Sequence, residues 1–229
     1  MKRTISFLLI LACVGMQAQT NVTDASGLKQ GKWVKRYDSG KIRYTGTFKN
    51  DVPVGVFTYF YERRGGKMSE ITYRGNSGVG YAKMYHRTGV LQAEGLYLGQ
   101  KKDSVWTYYS REGKLTQRET FVDGEISGSQ LTYWPNGNVS QRIDFSDGKE
   151  HGVWIRKWED GKKRTVGAYL NGQLQGQCKY FNEEGRLLAQ GEYNNGKKHK
   201  TWYYFEGGRV SRQEVYRYGK LESEKSFDK

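Results

Sequence analysis

The chain has 229 residues but only two cysteines, two prolines and three histidines, and its one sustained apolar run lies at the very start. Cys13 and Cys178 allow one disulfide at most, so a disulfide-stapled fold is excluded. Three scattered histidines and no paired-cysteine motif leave little material for a metal centre. No Gly-x-Ser-x-Gly turn and no phosphate-binding loop occurs. The chain reads as non-enzymatic, with no cofactor and no metal.

Acidic residues are also short: 24 against 38 lysines and arginines, a formal net charge of +14. The opening Met1-Lys2-Arg3-Thr4, the apolar run Ile5 to Val14, and Gly15-Met16-Gln17-Ala18-Gln19 follow the order of a secretory signal. The run is too short for a mature membrane span. Cleavage after Ala18 removes Lys2 and Arg3 and no acid, leaving 36 basic and 24 acidic residues, net +12. The expected location is periplasmic or extracellular. A lipid anchor at Cys13 is a minor alternative, because Ile10-Leu11-Ala12-Cys13 approaches a lipobox behind an unusually short apolar stretch. In that location a strongly basic protein meets anionic lipid, surface glycan or acidic protein rather than nucleic acid. Only Cys178 survives cleavage, so no intrachain disulfide forms.

What the chain has in abundance is glycine (30), tyrosine (18), phenylalanine (9) and tryptophan (6). Gly31, Gly55, Gly80, Gly128, Gly152 and Gly176 recur at intervals of 24, 25, 48, 24 and 24, with Ser104 and Lys200 in the two empty slots. A period of this size means stacked supersecondary units, each burying its apolar face against its neighbours. The sequence divides into a signal (1–18), a polar leader (19–30) and eight repeats (31–229).

Counting from the leading residue as zero, position 2 carries Trp33, Phe57, Trp106, Trp154 and Trp202, with Ala82, Gln130 and Cys178 as exceptions. Position 9 carries Gly40, Gly89, Gly113, Gly137, Gly161 and Gly185. Asn136-Gly137 and Asp160-Gly161 signal type I′ hairpin turns, so each unit is a β-hairpin. The second arm alternates, as in Ile42, Tyr44, Gly46 and Phe48, which predicts a strand wet on one face. The first arm is less regular, since Tyr85, Tyr109, Tyr133, Phe181 and Phe205 at position 5 oppose the position 2 aromatics. Tight twist, a bulge or a packing partner would each account for that.

A two-residue turn would pair position 2 with 15 and position 0 with 17. Trp33 then lies across from Gly46 and Trp154 from Gly167, while Phe48, Phe145, Tyr169 and Tyr193 cover Gly31, Gly128, Gly152 and Gly176. Asp123-Gly124, Asp147-Gly148, Asn171-Gly172 and Asn195-Gly196 join one unit to the next. The expected fold is all-β: an elongated, twisted antiparallel meander of about eight 24-residue hairpins and sixteen strands.

Phe145-Ser146-Asp147-Gly148-Lys149-Glu150-His151-Gly152-Val153-Trp154 and Gly191-Glu192-Tyr193-Asn194-Asn195-Gly196-Lys197-Lys198-His199 resemble the repeats of MORN proteins, more closely the bacterial antitoxin-like variant. The likeness runs from residue 31 to about 223. It implies a scaffold, a dimerisation platform, a lipid-associated module or an antitoxin. The signal sequence argues against restraint of an intracellular toxin. YD-type and wall-binding aromatic repeats, suggested by Tyr37-Asp38-Ser39-Gly40-Lys41-Ile42, have shorter periods and fit worse.

His151 and His199 share a slot two units apart, hence about 19 Å at 4.8 Å per strand, too far to share an ion. Position 10 carries Lys41, Lys114, Lys162 and Arg186, with Arg209 one residue earlier in unit eight, a basic row reinforced by Lys163 and Arg164. It is either a phosphate-binding edge or a row of lysines keeping a sheet soluble. The opposite edge carries Lys101-Lys102 and Lys197-Lys198. Trp134 and Trp158 share position 6 on adjacent units, placed either to bind a partner or to pack as core. Cys178 stands in the tryptophan slot and is expected to be buried. A protein partner is the leading expectation, anionic lipid or glycan the alternative, and a second copy of the chain remains open.

Overall fold

A computed structural model describes residues 19–75 and 77–227; the expected signal and its alternative lipid anchor, residues 1–18 with Lys2, Arg3 and Cys13, lie outside the described residues. The leader contributes β1 (Val22–Thr23). Unit one is β2 (Lys29–Arg36) and β3 (Ile42–Lys49), unit two β4 (Val52–Phe60) and β5 (Lys67–Tyr73), unit three β6 (Val79–Tyr85) and β7 (Leu91–Leu98). Unit four is β8 (Lys101–Tyr109) and β9 (Leu115–Val122), unit five β10 (Glu125–Tyr133) and β11 (Val139–Ser146), unit six β12 (Lys149–Lys157) and β13 (Lys163–Leu170). Unit seven is β14 (Gln173–Leu174) with β15 (Gly176–Phe181), then β16 (Leu187–Asn194). Unit eight is β17 (Lys197–Glu206) and β18 (Arg209–Arg217), and β19 (Lys220–Ser226) closes the sheet.

Every strand pairs antiparallel with the next, and β14 and β15 lie end to end against β13. The result is one open meander, eighteen lanes wide and about 80 Å across at 4.8 Å per lane. Substantial packing occurs only between sheet neighbours, the one-dimensional arrangement that a repeat implies. The polar leader is part of this sheet: Val34 N–H donates to Asn21 Oδ1 at 2.8 Å and Asn21 Nδ2 donates to the Val34 carbonyl at 3.1 Å, which closes the first edge.

The expected register holds. Trp33 pairs with Gly46 and Gly31 with Phe48, Trp154 with Gly167 and Gly152 with Tyr169, Gly128 with Phe145, and Gly176 with Tyr193. The turns that produce it differ from expectation. Within a unit, Gly137 N–H donates to the Trp134 carbonyl and Trp134 N–H to the Asn138 carbonyl, and Gly137 but not Asn136 has positive φ. This is a three-residue loop, a type I turn closed by a left-handed glycine. Its extra residue is absorbed by a bulge at position 12, where Arg43, Gln92, Thr116, Ser140, Arg164 and Leu188 are skipped by the pairing. That bulge re-aims position 5 and explains the irregular first arm. The type I′ turns join the units instead: Asp147 and Gly148 both have positive φ, 51° and 74°, as do Asn171 and Gly172.

The leading glycines serve conformation, not room. Gly31 and Gly176 sit at φ 67° and 76°, and a methyl group added to either would meet nothing within 4 Å. Ser104 and Lys200 adopt the same left-handed conformation at φ 57°. Gly80 is the exception: its φ is ordinary, and the left-handed residue is Gly78. The rings lie over a different set. Gly46, Gly95 and Gly191 at position 15 are covered by Phe57, Trp106 and Trp202 of the following unit, so closely that an added Cβ would overlap the ring. These rings and Cys178 are the largest fully buried side chains, with Ala82 and Ala93 packed beside Trp106. Trp106 Nε1 donates to the Leu96 carbonyl at 2.9 Å and Trp202 Nε1 to the Glu192 carbonyl at 3.1 Å.

Candidate binding surfaces

Three surfaces carry side chains beyond what stacking requires: the hairpin tips, the outer face of the sheet, and two half-buried lysine sites near the inter-unit turns.

At the tips, position 6 forms a ladder from unit to unit. Tyr37 Oη donates to the Phe60 carbonyl (2.8 Å), Tyr61 Oη to the Tyr85 carbonyl (2.7 Å) and Trp134 Nε1 to the Lys157 carbonyl (3.2 Å), with His86 Nε2 3.1 Å from the Tyr109 carbonyl. The acceptor is always position 5 of the next unit, which the bulge leaves without a partner on that side. Trp158 occupies the same slot, yet its indole N–H is buried and has no acceptor. Trp134 and Trp158, both half-buried, line a cleft of about 410 Å³ with Glu159, Asp160 and Glu183.

The basic residues of the tips lie at or beside the hairpin turns, interleaved with carboxylates. Lys162 Nζ is 2.8 Å from Asp160 and donates to the Glu183 carbonyl at 3.1 Å. Hydrogen bonds from Lys162 hold the Asp160 carboxyl below its ordinary pKa. Arg164 is the bulged residue of unit six, and its guanidinium stacks 4.5 Å from the Trp158 ring. Lys163 lies beside it, exposed, at the start of β13. Lys114 and Arg186 are exposed on the tips of units four and seven, next to Glu112 and Glu184. Around units six and seven Lys162, Lys163, Arg164 and Arg186 are interspersed with Glu159, Asp160, Glu183 and Glu184, so this stretch of the edge carries both signs of charge.

His151 and His199 do not meet. His151 Nδ1 is 3.4 Å from Asn171 Oδ1, and the His199 ring stacks on Tyr218 at 4.8 Å. Among the described residues no group of His, Cys, Asp and Glu could hold a metal ion. Cys178 is buried, and burial pushes its thiol up.

Sequence reasoning missed two features. First, Lys102 and Lys198 are not free edge charges. Lys102 Nζ sits over Trp106, Tyr108 and Phe121 at 4.6, 5.1 and 4.9 Å and donates to Tyr108 Oη at 2.8 Å. Lys198 repeats this with Trp202, Tyr204 and Tyr216, at 4.6, 5.3 and 4.8 Å. Glu119 and Glu214 lie opposite the two tryptophans in the pairing. Burial would raise the Glu214 carboxyl, but hydrogen bonds from Tyr204 and Tyr216 and the charges of Arg212 and Lys198 outweigh it and hold it low. Burial lowers the Lys102 ammonium, against the opposing charge of Glu119. The signal was in the sequence: Lys102, Trp106 and Tyr108 recur as Lys198, Trp202 and Tyr204 after 96 residues, four periods, so units three and four are repeated as seven and eight.

Second, the outer face carries an apolar stripe. Val56, Thr72, Tyr81 and Leu96 are cross-strand neighbours, and the line continues past a bulge to Val105 and Thr120. Val56 is 50% exposed, Tyr81 42% and Val105 52%, and Leu98 and Val122 extend the patch on the same face. Position 1 carries no special signal, because the apolar residues there alternate with Lys32, Ser129 and Thr201 in other units.

Residues 29–50, 79–98 and 174–195 match the MORN repeat variant family. The second and third segments are the equivalent parts of units three and seven, which lie four periods apart. Repeats of this kind generally bind proteins or membrane lipids and are not enzymes. A comparison with curated proteins found no match.

Proposed function

We propose that the chain is an exported, non-catalytic repeat protein that docks a protein partner on the outer face of units two to four. The observation that carries this reading is the stripe of Val56, Tyr81, Leu96 and Val105 with Leu98 and Val122: a contiguous apolar surface on a rigid sheet, of the kind that marks an interaction site. The titratable groups with displaced pKa values support the same reading. Glu214, Asp144 and Lys102 are each engaged by neighbouring side chains of the fold rather than gathered in a cleft. Export rests on residues 1–18, and an antitoxin-like role would require a partner outside the cytoplasm.

Electrostatic capture of anionic lipid or glycan is the second reading, favoured by the net charge alone. The carboxylates interleaved with the tip cations weaken it. The test is capture from cell-envelope extract, with washes at low and high salt, by the wild-type chain and a Tyr81→Ser/Val105→Glu variant. A stoichiometric protein retained by the wild type at high salt and lost from the variant supports docking on the stripe. Capture that ignores the variant and disappears with salt overturns it in favour of charge.

A further inference from the structure

We propose that the cleft between Trp134 and Trp158 is a carbohydrate site for a neutral oligosaccharide, distinct from the stripe on the outer face. The argument begins with what the ladder does not need. Tyrosine and histidine serve the position 6 bond equally well in units one to three, so that bond does not require an indole at Trp134. Trp158 makes no such bond at all. Arg164 covers one face of Trp158, and the rest of the ring surface of units five and six, which the ladder does not require, lines an open cleft of about 410 Å³.

The polar groups around the rings select the ligand. In the cleft stand Glu159, Asp160 and Glu183, all hydrogen-bond acceptors. Trp134 also lines a smaller pocket of about 150 Å³ with Gln141, Arg156 and Arg164 among others, which supply donors. A cation entering the cleft finds Asp160 already paired with Lys162 and the Trp158 ring already stacked by Arg164, and an anion meets three carboxylates. A sugar hydroxyl donates and accepts at once, and the apolar face of a pyranose ring covers an indole. Spacing agrees: equivalent positions on adjacent units are two lanes apart, about 9.6 Å, close to the length of two linked pyranose rings.

Isothermal titration of the full chain with neutral cello-, chito- and malto-oligosaccharides tests this, with a Lys/Arg hexapeptide and anionic phosphatidylglycerol vesicles run alongside. One neutral series should bind, more tightly as it lengthens from one ring to a span of both indoles, and with little dependence on salt. Trp134→His keeps a ladder donor, as His86 does, and Trp158→Tyr removes part of the second platform. Each should weaken binding about tenfold, the scale of one lost ring contact, while the melting temperature stays put. The Tyr81→Ser/Val105→Glu variant should bind the sugar normally, which separates failure of this proposal from failure of the docking reading. The proposal is overturned if no neutral series binds at millimolar concentration, if both tryptophan variants bind as the wild type does, or if only the peptide or the vesicles bind.

Discussion

Replacing Gly95 by alanine adds a single methyl group, and the structure says it has nowhere to go. The new Cβ would fall inside the indole of Trp106, which has no exposed surface and donates to the Leu96 carbonyl. Overpacking of this kind costs about 1–3 kcal/mol, and disturbing the indole hydrogen bond adds about 1 kcal/mol. Trp106→Ala alone should cost about 3–5 kcal/mol through the lost burial. In the Trp106→Ala background, however, Gly95→Ala has space. It should then be neutral, or stabilising by about 0.5–1 kcal/mol, because alanine loses less backbone freedom than glycine on folding. A coupling of about 2 kcal/mol or more follows. The chain contains the reciprocal arrangement, with Ile71, which takes the place of position 15 in the one-residue-longer unit two, facing Ala82 in the following unit. Urea unfolding of the four variants, followed by circular dichroism, measures the cycle. Equal cost of Gly95→Ala in both backgrounds would show that ring-over-glycine packing is not what places the glycine.

Two phenols titrate late, one half-buried and one on the exposed stripe: desolvation, first, and neighbouring groups push Tyr59 and Tyr81 up to about 12. The unfolded chain ionises them near 10, so this stability is present below pH 10 and is lost as pH climbs toward 12, visible as a falling melting temperature in an alkaline titration. Glu214 contributes with the opposite sense. Its carboxyl is held below 4.5, so its contribution is present above that value and disappears as the solution is acidified through the lower folded value; Glu214→Gln should flatten that limb. Lys198→Met should destabilise unit eight by about 1 kcal/mol, because it strips a cation from buried Glu214, and combining it with Glu214→Gln should recover most of the loss, as read by hydrogen exchange in β17 and β18. At Gly176, with φ 76° and open space, asparagine should cost a few tenths of a kcal/mol and valine about 1–2 kcal/mol in thermal melts. Equal effects of the two substitutions would refute the left-handed requirement.

The sequence by itself determined the period, the all-β meander and the register, because these follow from short-range spacing: a glycine every 24 residues, alternation along one arm, and turn residues at both ends. It also placed Cys178 in the core through its position in the tryptophan slot. Turn chemistry was misassigned between the two ends of the hairpin. Asn-Gly and Asp-Gly pairs look alike in sequence, and only the backbone shows that Asp147 is left-handed while Asn136 is not. The bulge at position 12 that makes the longer loop compatible with the register leaves no mark in residue type. Tertiary structure alone decided what the charges and rings do. It turned Lys102 and Lys198 inward onto aromatic faces, paired Lys162 with Asp160, and set Val56, Tyr81 and Val105 in line. The reason is physical: local pattern fixes which face a strand residue occupies, whereas rotamer, turn geometry and the adjacent strands decide what it touches, so a side chain's partners and exposure emerge only when the strands pair and the units stack.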